Sequence, residues 1–200
     1  MSMPERVTLT ARSFFFRRRC KKNLWGTLSY SYSVAKAYNP RYPDKEYSWD
    51  FDYRHVMTSI TGYRIEYQDF NWYKKVIKNW WYRALGFVPL IPADESEYSC
   101  RFRYTGDKPY TPITYYPEWR KWTLDGTQEI NSAHAKPYHT FDLHLQQRWF
   151  YNKLSVLVCW EFDNLFNTKN IWDYTYNSDG TNGTIYQRGR MIVGGVVVEF

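Results

Sequence analysis

Apolar and polar residues alternate at every second position over segments of about ten residues, and nowhere does the 200-residue chain hold the roughly 18 consecutive apolar residues of a transmembrane helix. Period two belongs to strands with two unlike faces. The clearest case is 24–34, where Leu24, Gly26, Leu28, Tyr30, Tyr32 and Val34 fall on one face and Trp25, Thr27, Ser29, Ser31 and Ser33 on the other. Over 140–149, Phe141, Leu143, Leu145 and Trp149 oppose Thr140, Asp142, His144, Gln146 and Arg148, with Gln147 breaking the pattern. Over 154–163, Leu154, Val156, Val158, Trp160 and Phe162 oppose Ser155, Leu157, Cys159, Glu161 and Asp163. The short link 150–153 makes these two an antiparallel hairpin. Weaker alternation marks 7–15, 56–67 and 98–104, and a last strand is expected over 186–200. The expected fold is all-β, an antiparallel up-and-down arrangement of about seven strands forming one domain over 1–200.

About ten residues is also the length a tilted strand needs to cross a bilayer. The links add to this. Segments 16–23 and 150–153 are short, whereas 36–54, 105–137 and 167–184 are long, polar and rich in turn residues. Transmembrane β-barrels have short turns on one side and long loops on the other. With Phe200 on the short-turn side, counting backwards puts all three long links outside. Segment 70–95 breaks the rule, being long where a short turn is due. It carries Trp72, Val76, Ile77, Trp80, Trp81, Ala84 and Leu85 at helical spacing, opposed by Lys74, Lys75, Lys78 and Arg83. A short amphipathic helix over 72–85 in the membrane interface fits this pattern, and a further pair of short strands fits it equally.

A mean hydropathy of −0.68 alongside 21% aromatic residues supports the same class. Twenty Tyr, ten Trp and twelve Phe are rings suited to boundaries between dry and wet surroundings, such as membrane interfaces and sugar-binding surfaces. The net charge of +7 is scattered except at Arg17, Arg18, Arg19, Lys21 and Lys22, which argues against a nucleic-acid partner. Cys20, Cys100 and Cys159 form no CxxC pair. His139 and His144 fall on opposite strand faces, and His55 and His134 have no ligand-spaced neighbour, so no metal or cofactor is expected. Residues 1–23 lack the order of a signal peptide.

Several short motifs occur in order. Trp49-Asp50-Phe51-Asp52-Tyr53-Arg54-His55 contains an Asp-x-x-His; Tyr104-Thr105-Gly106-Asp107-Lys108-Pro109-Tyr110-Thr111-Pro112 opens a loop; Pro137-Tyr138-His139 leads into Phe141-Asp142-Leu143. Asp163-Asn164-Leu165-Phe166-Asn167 follows, then Tyr186-Gln187-Arg188-Gly189-Arg190, Gly194-Gly195 and a terminal Phe200. Together they resemble the C-terminal part of the β-barrel of TonB-dependent outer-membrane receptors. The resemblance implies a bacterial outer membrane location, with lipid around the barrel and energy-coupled uptake of a small-molecule nutrient: a siderophore, cobalamin, sugar or peptide. It further implies that Ile192, Val196, Val198 and Phe200 form the signal read by the barrel-assembly machinery. Barrels of this family have about 22 strands around a plug. About seven strands cannot close such a barrel, so the expectation is a fragment, not competent alone, with plug and signal peptide absent and the TonB complex reached only through the missing plug.

In that setting Asp142, His144, Gln146, Arg148, Glu161 and Asp163 are expected to face the lumen. The aromatic residues of two outer loops, Tyr110, Tyr115, Tyr116, Trp119 and Trp122 in one and Trp172, Tyr174 and Tyr176 in the other, are candidates either for ligand stacking or for girdle and loop packing. No catalytic residue is assigned. Asp142 and His144 share a strand face, but polar lumen residues are expected in any such barrel. The competing reading is a soluble all-β aromatic-rich module binding glycans, which requires the apolar stripes to pack against one another in a closed core.

Overall fold

The computed structural model describes residues 6–19, 23–39, 42–124 and 129–200. In chain order they form β1 (Arg6–Arg19), β2 (Leu24–Asn39), β3 (Tyr42–Ser48) and β4 (His55–Glu66), followed by two short helices, α1 (Asn71–Val76) and α2 (Trp80–Ala84). Then come β5 (Glu95–Thr105) and the loop strands β6 (Pro109–Tyr110), β7 (Thr114–Tyr116), β8 (Lys121–Thr123) and β9 (Ala133–His134). β10 (Tyr138–Tyr151), β11 (Leu154–Asp163), the hairpin β12 (Ile171–Tyr176) and β13 (Asn182–Tyr186), and β14 (Met191–Glu199) complete the chain. The chain is all-β, as the alternation predicts.

One antiparallel sheet dominates, ordered β1-β2-β4-β5-β10-β11-β14, with β3 paired to the far end of β2. It is an open wall: β1 and β14 stand at its edges. The register carries the face pattern across strands. Phe141, Leu143 and Leu145 stand opposite Phe102, Cys100 and Tyr98 on one side, and Leu143, Leu145 and Trp149 opposite Phe162, Trp160 and Val156 on the other. Val156, Val158 and Phe162 in turn face Val198, Val196 and Ile192. One face of the wall is therefore apolar from β5 to β14. The opposite face places Arg101 against Asp142 and His144 against Glu161. Three links (20–23, 67–94 and 152–153) leave one end of the wall, and 40–54, 106–137 and 164–190 leave the other. These are called below the turn end and the loop end.

Two strand limits differ from the alternation. β1 continues through Arg19, with Arg17 and Arg18 paired to Thr27 and Gly26, so the first arginines of the basic run belong to the ladder and not to a turn. Both side chains stay exposed, so their charges remain hydrated while the backbone keeps its hydrogen bonds. Cys20, Lys21 and Lys22 lie outside the described residues. The last strand starts at Met191, not at Tyr186, because Tyr186 pairs with Ile171 in the β12–β13 hairpin. Backbone groups in between go elsewhere: Gln187 N–H donates to the Asn170 carbonyl and Arg190 N–H to Asn167 Oδ1.

Between β4 and β5 the helical alternative holds, broken into two pieces around Asn79. The apolar stripe is divided between the wall and the outside. Tyr73 and Tyr82 are buried, with Val76 and Ile77 partly so, against Trp149, Val158 and Ala93. Trp72, Trp80, Trp81, Ala84 and Leu85 point away and are exposed. A buried tyrosine needs a partner for its hydroxyl, and both have one: Tyr73 donates to Asp94 Oδ1 at 3.1 Å and Tyr82 to the Pro92 carbonyl at 2.9 Å. The segment 67–94 thus sits as a foot on the apolar face of β10 and β11 at the turn end, and it covers the main buried cluster of the wall. Elsewhere that face is largely open among the described residues, with Phe16, Ile192 and Val196 at 47%, 55% and 52% exposure and the Phe166 ring against Phe141.

Candidate functional site

Three long loops meet at the loop end, and buried asparagines hold them. Asn131, with φ of 54°, donates from Nδ2 to the Ser48 carbonyl and to Asp50 Oδ1, both at 2.7 Å, joining the link after β2 to the link after β5. Asn170 grips the backbone of His139 from both sides, accepting its N–H at 3.0 Å and donating to its carbonyl at 2.9 Å. Asn164, with φ of 49°, accepts from Thr168 N–H and donates to the Thr168 carbonyl, closing the turn after β11. Asparagine tolerates the left-handed region and offers both a donor and an acceptor, which suits it to these places. Asn164 is only 3% exposed, so it anchors the turn from inside, whereas Phe166 is 70% exposed.

The Asp-x-x-His motif has a similar task. The buried Asp52 accepts the Ala35 N–H at 2.8 Å, and His55 Nδ1 hydrogen-bonds the Tyr30 hydroxyl at 2.8 Å, so both residues fasten the loop before β4 to β2. The loop after β5 docks on the same corner through Gly106, whose N–H donates to the His55 carbonyl at 2.7 Å.

The eight loop aromatics divide into three groups. Tyr115, Trp122 and Tyr176 lock one loop onto the other. Tyr115 donates to the Ser178 carbonyl and Trp122 Nε1 to the Asn177 carbonyl, each at 2.8 Å, and the rings of Trp122 and Tyr176 lie 4.9 Å apart. Tyr116 and Trp119 stack on each other at the β7–β8 hairpin. Tyr110, Trp172 and Tyr174 line an open cleft of about 460 Å³, together with Phe51, Tyr53, Lys108, Lys136, Tyr138 and Asp173. Burial pushes the phenols of Tyr53 and Tyr174 up, with Asp50 and Tyr110 adding respectively, so both stay neutral hydrogen-bond donors. Aromatic faces with two lysines and one carboxylate can stack a planar or sugar ring and pair with an anionic group on it. Phe51, Tyr53, Lys108, Lys136, Tyr138 and Asp173 carry no site role in the sequence pattern, although Phe51, Tyr53, Lys108 and Tyr138 stand inside its motifs.

The six polar-face residues of β10 and β11 share their face as expected. They extend a charged band that the alternation left incomplete. Asp142 is the hub: Oδ2 accepts from Arg101 Nε at 2.8 Å and Arg103 Nη2 at 2.9 Å, and Oδ1 accepts the Asn164 N–H at 2.9 Å. Arg101 also reaches Asp163 at 3.3 Å and Glu161 at 3.8 Å. Nearer the turn end, Arg64 pairs with Glu97 at 2.8 Å and Arg148 with Glu199 at 2.9 Å. Both oxygens of Asp142 are thus taken, and His144 stands across from Glu161 on the same face. Among the described residues no group of His, Cys, Asp and Glu is placed to hold a metal, and Cys100 and Cys159 are free thiols. No family model, no curated protein and no solved structure matches this chain.

Proposed function

We propose that the chain is a section of the wall of an outer-membrane β-barrel of the TonB-dependent receptor kind, taking part in energy-coupled uptake of a small nutrient. One observation carries this reading: among the described residues the apolar face of the sheet, continuous from β5 to β14, stays largely open outside the foot, with the Phe166 ring resting on Phe141 at its loop end. In water a sheet must bury its apolar face against a second layer. In a bilayer the hydrocarbon is that layer, and the backbone is satisfied by the ladder. The soluble glycan-binding alternative calls for a closed core, and the buried hydrophobic residues here are few and gathered mainly under the foot.

The dimensions agree. β5, with 11 residues, extends about 36 Å at roughly 3.3 Å per residue. Tilted by about 45°, that covers the roughly 25 Å apolar band of such barrels. In this reading the ion-paired face looks into the lumen, toward plug or substrate, and the loop-end cleft around Tyr110, Trp172 and Tyr174 is where an incoming ligand is first held. The open edges at β1 and β14 would pair with further strands, since an unpaired edge in lipid leaves polar backbone unsatisfied.

The test is the solvent requirement of the purified chain. It should need detergent or lipid to remain dispersed, and alone in a planar bilayer it should give no stable pore. A monodisperse, folded protein in plain buffer would overturn the assignment.

A further inference from the structure

The foot is tied to the wall yet leaves its largest apolar residues outside. Beyond its buried tyrosines, it is fastened by Arg83, which donates from Nη1 to the Phe150 carbonyl at 3.1 Å and lies 4.6 Å from the centroid of the Tyr151 ring. Asp94 accepts the Phe150 N–H at 2.7 Å, and Gln147 Nε2 donates to the carbonyls of Val88 and Ile91. On the outward side Trp72, Trp80, Trp81, Leu85, Val88 and Leu90 are 47%, 82%, 49%, 42%, 46% and 64% exposed. Beside them Lys74, Lys75 and Lys78 are exposed and take part in no ion pair among the described residues. The segment has only two carboxylates: the exposed Asp69 and the buried Asp94, which is spent on Tyr73 and Phe150.

We infer that the foot is a lipid-anchoring device which seats its tryptophans at the headgroup level of the leaflet on the turn side and binds anionic phospholipid headgroups through Lys74, Lys75 and Lys78. The inference rests on the membrane reading of the wall. Three observations favour lipid over another occupant. The foot lies on the same face of the wall that would meet hydrocarbon, so its outer side is continuous with the bilayer boundary. Its exposed residues are tryptophan and aliphatic side chains mixed with lysine, the composition of interfacial segments on negatively charged membranes. Finally, the lysines cluster within one turn and a half of chain with a single exposed acid nearby, so the charge complements an acidic surface.

The experiment uses the full chain reconstituted in vesicles of phosphatidylcholine, alone or mixed with phosphatidylglycerol, with brominated versions of either lipid as tryptophan quenchers. Resistance to carbonate extraction reports whether the wall is inserted at all. Trp80→Phe/Trp81→Phe identifies the part of the fluorescence that belongs to the foot, and Lys74→Gln/Lys75→Gln/Lys78→Gln removes the charge at exposed positions where folding is not at stake. In the native chain, brominated phosphatidylglycerol should quench the Trp80 and Trp81 signal in clear preference to brominated phosphatidylcholine. The triple glutamine variant should lose at least the roughly fivefold selectivity that one lysine contributes near an acidic surface, while staying inserted. Insertion without any phosphatidylglycerol preference, or a preference unchanged by the lysine substitutions, overturns the anchor and leaves the wall reading intact. Failure to insert overturns both.

Discussion

The six-membered ring of Trp160 stands 3.1 Å from the point where a Cβ on Gly194 would lie, and the two residues are direct partners across β11 and β14. The glycine gap in the last strand is therefore filled by its neighbour's indole. The same arrangement recurs on the opposite face, where the ring of Trp25 occupies the space beside its partner Gly62 across β2 and β4. Aromatic cover of a sheet glycine keeps a flat ring packed while exempting the partner from a side chain.

The two sites should respond differently to alanine. At Gly194 the ring needs to yield only slightly, so Gly194→Ala is expected to cost under about 1 kcal/mol. At Gly62 a methyl group collides with the Trp25 indole, and about 1–3 kcal/mol is expected from overpacking. Denaturant unfolding in detergent, followed by tryptophan emission, measures both. A Gly62→Ala variant as mild as Gly194→Ala would contradict the packing of Trp25.

Asp142 should be the most sensitive carboxylate in the wall. Its side chain is 4% exposed and serves two arginines and a backbone N–H. Asp142→Asn turns one acceptor into a donor facing guanidinium, with an expected loss of about 2–4 kcal/mol. Arg103 is 38% exposed, and solvent screens its share, so the coupling between Asp142→Asn and Arg103→Gln in a double-mutant cycle should be only about 1 kcal/mol and should shrink in salt. Strict additivity of the two changes would mean that the pair does not interact.

Asn164 tests the turn that follows β11. Alanine there loses both bonds to Thr168 and also resists a φ of 49°, whereas glycine loses the bonds but accepts the angle. Asn164→Ala should therefore destabilise by about 2 kcal/mol and Asn164→Gly by about 1 kcal/mol less. Limited proteolysis of the 164–190 loop and thermal melting give the order. Equal losses would show that the left-handed angle is not what selects asparagine.

Much of this wall is visible in the residues themselves. β11 follows its alternation to both ends, because a strand with valines and aromatics on one face and acids on the other has only one way to lie against its neighbours. The start of β14 escaped because Tyr186 has the parity of Ile192, Val196 and Val198, whereas the place of residues 186–190 is decided by Ile171, Asn167 and Asn170, some twenty residues earlier. On the foot, helical spacing groups the tryptophans with Val76 and Ile77 as one apolar side for a membrane interface. That spacing says nothing of Tyr73 and Tyr82, which the structure buries against the wall and whose hydroxyls find Asp94 and the Pro92 carbonyl, partners that no local pattern announces. Arg101 and Arg103 were legible as polar-face residues, but their bonds to Asp142 depend on the register of two strands separated by a long loop.

The foot should also give the protein an alkaline limit. Burial, helped by a hydrogen bond with Tyr98, pushes the Tyr67 phenol from its ordinary value near 10 up to about 12. Burial likewise raises Tyr73, with the charge of Asp94 adding, and Tyr82, with Tyr98 and then Asp94 adding. A phenol whose folded value lies above its unfolded one holds its proton more tightly when folded. Its contribution is thus complete below pH 10 and disappears as pH rises through the folded value, about 12 for Tyr67. The near-ultraviolet signal of the packed tyrosines should persist past pH 10 and then collapse together with a steep rise in phenolate absorbance, rather than following a simple titration. Tyr73→Phe should cost about 1 kcal/mol at neutral pH, because Asp94 Oδ1 loses that donor, and should make the alkaline collapse shallower. Ionisation of all tyrosines near their ordinary value, with the foot unaltered, would mean that Tyr67, Tyr73 and Tyr82 are not packed against the wall.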